Sequence, residues 1–265
     1  MLALLKRLWR ALFPAPAESA APDAPVLGWK PEVADPRDRA FAAPLGLGAL
    51  PTSVDLRPRF APVETQGAIN SCVAHAMTSA FEFVTGVTDR SRLHVYWIAR
   101  AVEGSTRFDA GCFNRSAAKA LAASGAGAEP LWPYDVTKVK TAPPASVAAD
   151  ALKSKGLIAS YERVTDLAGV KAALASGLPV VFGFSVPDYF MTETRSTGHL
   201  RLNTGSPVIG GHSVLAVGYD DASGNVIVRN SFGPAFGLGG YFTMPYSWFQ
   251  FGSLVDDGWV LRPKA

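Results

Sequence analysis

The sequence predicts an α+β protein of two lobes, a mainly helical left lobe followed by a right lobe built on an antiparallel, barrel-like sheet. Three observations carry this. From Cys72 to Ala123 the apolar residues recur at helical spacing, whereas from Leu157 onward they alternate or run in short β-branched blocks. Glycine-bearing turns such as Ser223-Gly224-Asn225 separate those later blocks, as hairpins require. The chain has 265 residues, 48% of them hydrophobic and 18% charged. That is enough for one large domain or two closely packed lobes around a substantial core.

Taken in order, residues 1–13 place Leu2, Leu4, Leu5, Leu8, Trp9, Leu12 and Phe13 on one side of a helical wheel and Lys6, Arg7 and Arg10 on the other. Bases interrupt every candidate apolar core, so the stretch does not read as a secretory signal. It predicts an amphipathic basic helix that docks on a membrane surface or a protein partner, or else packs on the domain or frays. Residues 14–52 are rich in Pro, Ala and Gly and predict an extended linker or a short pro-like segment. Within it Gly28-Trp29-Lys30-Pro31 to Asp38 is less featureless, and Trp29 is a candidate anchor to the domain at 53–265.

The helical lobe is expected over 53–156. Its first helix starts at Cys72 and carries Ala, Met and Phe residues to Phe83, with Thr85-Gly86 as its stop. A second helix is expected over Ser91 to Val102 and a third over Ser116 to Ala123, ended by Gly125. Leu131 to Asp135 reads as a rigid crossover, and Pro143-Pro144 opens a short helix to about Lys153. In the β lobe, 157–265, Ile158 to Val164 alternates as a strand, Asp166 caps a helix to Ser176, and Leu178 to Val186 is an apolar strand. Further strands are expected around Ser213, Val226, Gly240-Thr243 and Gly258-Leu261.

The net charge of +3 is matched by Lys6, Arg7 and Arg10 alone. The remainder is close to neutral, which argues against a nucleic-acid surface. No apolar run approaches the ~20 residues of a spanning helix. Two cysteines make no disulfide framework and suit a reducing compartment, so a cytoplasmic protein, membrane-associated if residues 1–13 dock, is expected. The four histidines show no zinc-ligand spacing and there is no phosphate-loop motif, so no metal or cofactor is expected.

Cys72 follows Gln66-Gly67-Ala68-Ile69-Asn70-Ser71 and opens a helix. Unpaired amides and the positive end of the helix dipole favour an anion there, so the thiol is expected to shift towards thiolate. A thiolate nucleophile needs a base, and the base needs an orienting group. His212 lies in the Gly-led strand Ile209-Gly210-Gly211-His212-Ser213, and the strand Val226 to Phe232 returns as a hairpin. Asn230 can therefore come level with His212. His75 sits one turn along from Cys72 on the same helix, beside the thiol rather than across a cleft, and reads as a buried, hydrogen-bonded residue; His94 and His199 read as structural or surface.

Gln66 upstream of Cys72, the Gly-His segment at His212, and Asn230-Ser231-Phe232-Gly233, in that chain order, resemble the papain-like cysteine peptidases, bacterial-type members among them. The likeness spans about Val54 to Arg262. It implies a papain-like two-lobe fold with the site in the cleft between lobes, and hydrolysis of peptide bonds in peptide or protein substrates through a thioester on Cys72. On this resemblance His212 is the base and acid, Asn230 orients it, and Gln66 with the Cys72 amide binds the oxyanion. Phe232 stands where the family has Trp. Cys112 matches a family cysteine whose disulfide partner is here Ile69, so a buried free thiol is expected. After Cys112 the family's Asn-Gly-Gly is replaced by Phe113-Asn114-Arg115, which puts substrate-backbone pairing near Asn114 in question. Gly210 and Gly211 leave a small wall that admits a bulky side chain at the position preceding the cleaved residue, provided nothing else fills it. Two other readings of the same residues are a silent papain-fold binding or structural protein and a related acyl-transfer enzyme, an amidase, deamidase or transglutaminase.

Overall fold

Leu93, Val95 and Tyr96 on one helix and Cys72, Val73, Met77 and Phe81 on another bury the apolar stripes that the helical spacing predicts. A computed structural model describes residues 26–43, 48–250 and 254–264; the amphipathic stretch at 1–13 and the first part of the Pro/Ala-rich stretch lie outside them. Helix α1 runs Cys72–Thr85 and stops at Gly86, whose φ of 71° is open to glycine and whose amide closes on Glu82. Helix α2, Arg92–Val102, is capped by the Ser91 side chain accepting from the His94 amide, and α3 spans Asn114–Ser124. Helix α4 is Ala145–Ala151, α5 is Leu167–Ala175 behind its cap Asp166, and α6 is Glu193–Thr197.

Seven strands form one antiparallel sheet: β1 Ser53–Asp55, β2 Ile158–Val164, β3 Val180–Pro187, β4 Val208–Asp220, β5 Asn225–Arg229, β6 Tyr241–Pro245 and β7 Val255–Pro263. The order is β2-β7-β3-β4-β5-β6, with β1 paired to one end of β4. The end strands β2 and β6 do not pair, so among the described residues the sheet does not close into a barrel.

Strand alternation divides the interior. Val181, Leu215, Val217, Trp259 and Leu261 face the helices and share a core with α1, α2 and α3. Their neighbours Val180, Phe182, Phe184, Val214, Ala216 and Val260 point the other way, into a second core with α5, Phe190, Phe236 and Trp248. Helix α1 thus lies against β4 with its first residue, Cys72, at the junction of the lobes. The second part of the expected linker is not detached. Residues 26–43 run across the lobe junction and then along β2, where the amide of Phe41 donates to Arg163 O at 2.8 Å and that of Arg163 to Arg39 O at 2.7 Å. Trp29 is only 4% exposed.

Candidate active site

His212 sits on β4 opposite Phe184 of β3, fully buried. Asn230 follows the last residue of β5, and its Oδ1 lies 2.8 Å from His212 Nε2. The same Oδ1 accepts from the Ser231 amide at 2.8 Å, which fixes the amide orientation and makes Nε2 the protonated nitrogen of the imidazole. Nδ1 is buried with no hydrogen-bond partner among the described residues, available to take a proton. Phe232 stacks on the imidazole, ring centroids 4.6 Å apart at 29°, and Phe184 meets it edge-on. These rings keep water from the histidine–asparagine bond without donating a hydrogen bond of their own.

Cys72 opens α1, and the amides of Ser213, Gly28, Val73 and Cys72 itself surround its sulfur. Gln66 reaches the site from the loop before α1. Its backbone amide donates to Ser231 O at 2.8 Å, and Ser231 Oγ donates to Gln66 Oε1 at 2.7 Å. With Oε1 held, the Nε2 group must face carbonyls, and it donates to Ile69 O at 3.0 Å and Val26 O at 2.8 Å. Sequence spacing brings these residues to one junction although Gln66 and Asn230 are far apart along the chain.

The groove itself is filled by residues 26–32. Val26 presents its carbonyl to Gln66, Gly28 passes over the sulfur, and the Trp29 amide donates to Gly211 O at 3.1 Å. The approach is close enough to require glycine on both sides. A Cβ on Gly28 would fall 2.2 Å from Asn70 O, and one on Gly111 1.9 Å from Gly28 O. Beyond Trp29, Lys30 lies 3.5 Å from Glu103, Glu32 2.5 Å from Arg115, and Asp38 2.6 Å from Arg115.

Residues 50–250 match the papain family cysteine proteases. The chain belongs to that family. It is 33% identical over 214 residues to a peptidase C1-like protein of Acanthamoeba polyphaga mimivirus, covering 74% of this chain and 68% of that one. Mouse pro-cathepsin H is 27% identical over 208 residues, 74% of this chain and 61% of its own length. Among solved structures, xylellain, a cysteine protease from Xylella fastidiosa, superposes with a TM-score of 0.84 at 33% identity over 94% of this chain and 100% of xylellain. A Carica candamarcensis cysteine protease in complex with E-64 shares the fold, with a TM-score of 0.63 at 23% identity over 82% of this chain and 100% of that one. The protein is accordingly a protease, a hydrolase acting on peptides or proteins.

Protonation in the covered site departs from the sequence expectation. The helix terminus was expected to draw Cys72 towards thiolate, but burial pushes its thiol above the ordinary value, outweighing the pull of the surrounding amides. Burial likewise lowers His212 to about 4, against the smaller opposing effect of its bond to Asn230. With residues 26–32 in place, burial therefore favours the neutral thiol at Cys72 and the neutral imidazole at His212. The helix dipole cannot win where water has been excluded from the sulfur.

The remaining candidates divide. Gly211 lines the groove, and Gly210 abuts Leu27, where a Cβ would fall 2.7 Å from the Leu27 side chain. Asn114 does not reach the groove surface. It is fully buried, its Nδ2 donating to Asp257 O at 3.0 Å and its Oδ1 accepting from Ser213 Oγ at 2.8 Å, so it braces the wall from behind. Cys72 and Cys112 are both free and buried. His75 bonds Ser71 O through Nδ1 at 3.1 Å while its Nε2 has no partner among the described residues, and burial lowers it to about 3. His94 Nδ1 accepts from the Gly127 amide at 3.1 Å, and exposed His199 contacts Thr243 Oγ1 at 2.9 Å. Among the described residues no three His, Cys, Asp or Glu side chains gather as a metal site, and no helix is long and apolar enough to cross a membrane. Sequence reasoning missed Gly183 and Asp257. Gly183 lies within a run that reads as an ordinary buried strand, and nothing around Asp256-Asp257-Gly258 marks an acid that will be buried.

Proposed function

We propose that the protease is a cysteine endopeptidase working through Cys72, His212 and Asn230, with Gln66 as oxyanion donor, and that residues 26–43 are a short pro-like strap that holds it inactive. The observation that carries this is the 2.8 Å bond from Gln66 Nε2 to Val26 O. A peptide carbonyl of the chain's own backbone already takes the donor that a substrate carbonyl would need.

Once the strap leaves, water and substrate reach the sulfur, the desolvation that keeps both groups neutral is relieved, and the thiol proton passes to His212 Nδ1. The sulfur attacks the carbonyl carbon of a bound peptide. Negative charge moves to the carbonyl oxygen, where Gln66 Nε2 and the Cys72 amide stabilise it. As the C–N bond breaks, the imidazolium gives its proton to the leaving amine, and the acyl group remains on sulfur as a thioester. Water then attacks that thioester while His212 takes its proton. The C–S bond breaks, the carboxylic acid departs, and the thiol is restored. Throughout, Asn230 Oδ1 holds the Nε2–H, so that Nδ1 stays turned to the thiol without a carboxylate charge being added. Two free cysteines suit a reducing, cytoplasmic setting.

The test compares the full chain with one starting at Thr52, each with and without Cys72→Ala, on a peptide library read by mass spectrometry. The expected result is faster cleavage without the strap and none with Cys72→Ala. Deamidated or cross-linked products in place of cleaved ones would reassign the reaction, and an inert chain that an epoxysuccinyl inhibitor does not label would make the fold a binding module.

A further inference from the structure

The seat that Trp29 occupies is too specific to serve only as packing. Its indole lies across the paired strands β3 and β4 at two glycines, where no side chain intrudes. A Cβ on Gly183 of β3 would fall 1.9 Å from Trp29 Cε2, and one on Gly211 of β4 2.7 Å from Cε3. At the far end Trp29 Nε1 donates to Asp257 Oδ2 at 3.2 Å. Asp257 is a charged residue with 1% exposure, on β7, and four contacts position it. Its other oxygen accepts from Trp259 Nε1 at 2.6 Å, its carbonyl from Asn114 Nδ2 at 3.0 Å, and its amide donates to Asp256 Oδ1 at 2.6 Å, while Arg163 Nη1 stands 3.9 Å from Oδ1. It also holds φ at 60°, a backbone conformation few side-chain-bearing residues adopt, so the surrounding structure imposes its placement.

We propose that this slot, when a substrate side chain takes the place of Trp29, selects tryptophan, with Asp257 as the residue that sets the preference. The inference rests on the reading of the groove as the substrate site. Leaving of the strap uncovers a buried carboxylate oxygen, Oδ2, with its acceptor capacity unspent, and an unpaired buried acceptor costs more than a mismatched apolar surface. An indole fills the two glycine faces and supplies the missing N–H. Phenylalanine fills the faces and leaves the acceptor bare. Arginine fits less well, because Oδ1 is committed to Trp259, which rules out two-point pairing, and Arg163 already supplies a cation nearby. The Trp29 amide bonded to Gly211 O shows how a substrate backbone would align its side chain with the slot.

The strap lets the pocket be read in the intact chain by two routes. In the first, Cys72 alkylation by iodoacetamide is timed in full-length protein carrying Trp29, Trp29→Phe or Trp29→Arg, each with Asp257 or Asp257→Ala. Losing the indole N–H is expected to speed alkylation roughly tenfold or more when Asp257 is present, the scale of a hydrogen bond to a charged group, and hardly at all with Asp257→Ala. In the second, full-length Trp29→Ala protein is given fluorogenic peptides differing only in Trp, Phe, Leu or Arg at the position preceding the cleaved residue. A Trp-to-Phe ratio of kcat/KM of about ten or more, collapsing towards one with Asp257→Ala, supports the pocket. Equal turnover of the four peptides, Arg exceeding Trp, or equal alkylation of the Trp29 and Trp29→Phe chains overturns it. Hydrolysis of none of the peptides, with the alkylation difference intact, would leave the pocket standing and remove the peptidase reading instead.

Discussion

The floor of the groove and the strap across it are built by different physics. The floor is strand and helix: His212, Asn230, Gln66 and Ser231 are all nearly or wholly buried and held by one another at 2.7–2.8 Å, under a roof of Phe232, Phe184 and Phe190. The strap contributes no regular element over 26–43 beyond isolated bridges at Trp29 and Ala40, and it is fastened by one indole, by ion pairs of Lys30, Glu32 and Asp38 at the rim, and by backbone bonds at Val26, Trp29, Arg39 and Phe41. Preorganisation of the floor is maintained by interactions the strap does not supply. Substitutions should therefore separate the two, harming chemistry without opening the groove or opening it without harming chemistry.

Gln66 is where the separation is sharpest, since it belongs to both. Gln66→Ala should lower kcat of strap-loosened protein by about a hundredfold or more, the usual cost of one oxyanion donor. In full-length protein the same change should speed Cys72 alkylation, because the bond to Val26 O is lost with it. Turnover and alkylation moving in opposite directions is the signature; if both fall together, Gln66 is only a structural support for the loop.

Trp29→Ala comes next in size. It removes the largest apolar side chain the strap buries, and deleting a buried Trp costs roughly 3–5 kcal/mol in a core that cannot relax. Part of that loss is recovered when the seat fills with water, so the full-length variant should show alkylation and peptide hydrolysis raised by roughly tenfold or more. Its circular dichroism should keep the wild-type spectrum. Unchanged alkylation would mean that the ion pairs and backbone bonds hold the strap without the indole.

How much of this was legible beforehand follows the same division. The floor could be read because its residue types are forced. A helix beginning at Cys72, a glycine-led strand carrying His212 and a hairpin returning Asn230 each leave a local pattern, whereas the division of the interior into two cores by β3, β4 and β7 shows only in the structure. The strap was harder to read. Pro, Ala and Gly in residues 14–52 describe a chain that makes no helix or strand of its own, and composition cannot say whether such a chain is solvated or laid into a groove. Trp29 was the one residue to hint at docking. The protonation of Cys72 was misjudged for the same reason, because the helix terminus is visible in the sequence and the burial imposed by Gly28 is not. Asp257 leaves no trace, since its burial depends on Trp29 and Asn114 arriving from two distant parts of the chain to join its strand neighbour Trp259.

The smallest effect concerns pH. Burial raises Glu32 from 4.5 to about 7 in the closed strap, opposed by Arg115 and Arg163 and reinforced by Asp257 and Asp38. Among the described residues Glu32 Oε2 also lacks a hydrogen-bond partner. An open strap returns Glu32 to water and its ordinary value, so closure takes up a proton over this range. The sign follows from linkage: a group with its pKa raised in the closed state favours closure fully below the open-state value, and that contribution is lost as pH rises through about 7. Full-length protein should therefore open a few-fold more readily at about pH 8 than at about pH 5, on the scale of a partly exposed charge. Alkylation of the full chain, divided at each pH by that of the Trp29→Ala chain to cancel thiol ionisation, measures this directly. Glu32→Gln, which cannot ionise, should flatten the ratio at its low-pH value, and a ratio that keeps its slope in that variant assigns the pH dependence to another group, with Asp257, raised to about 6, the next to test.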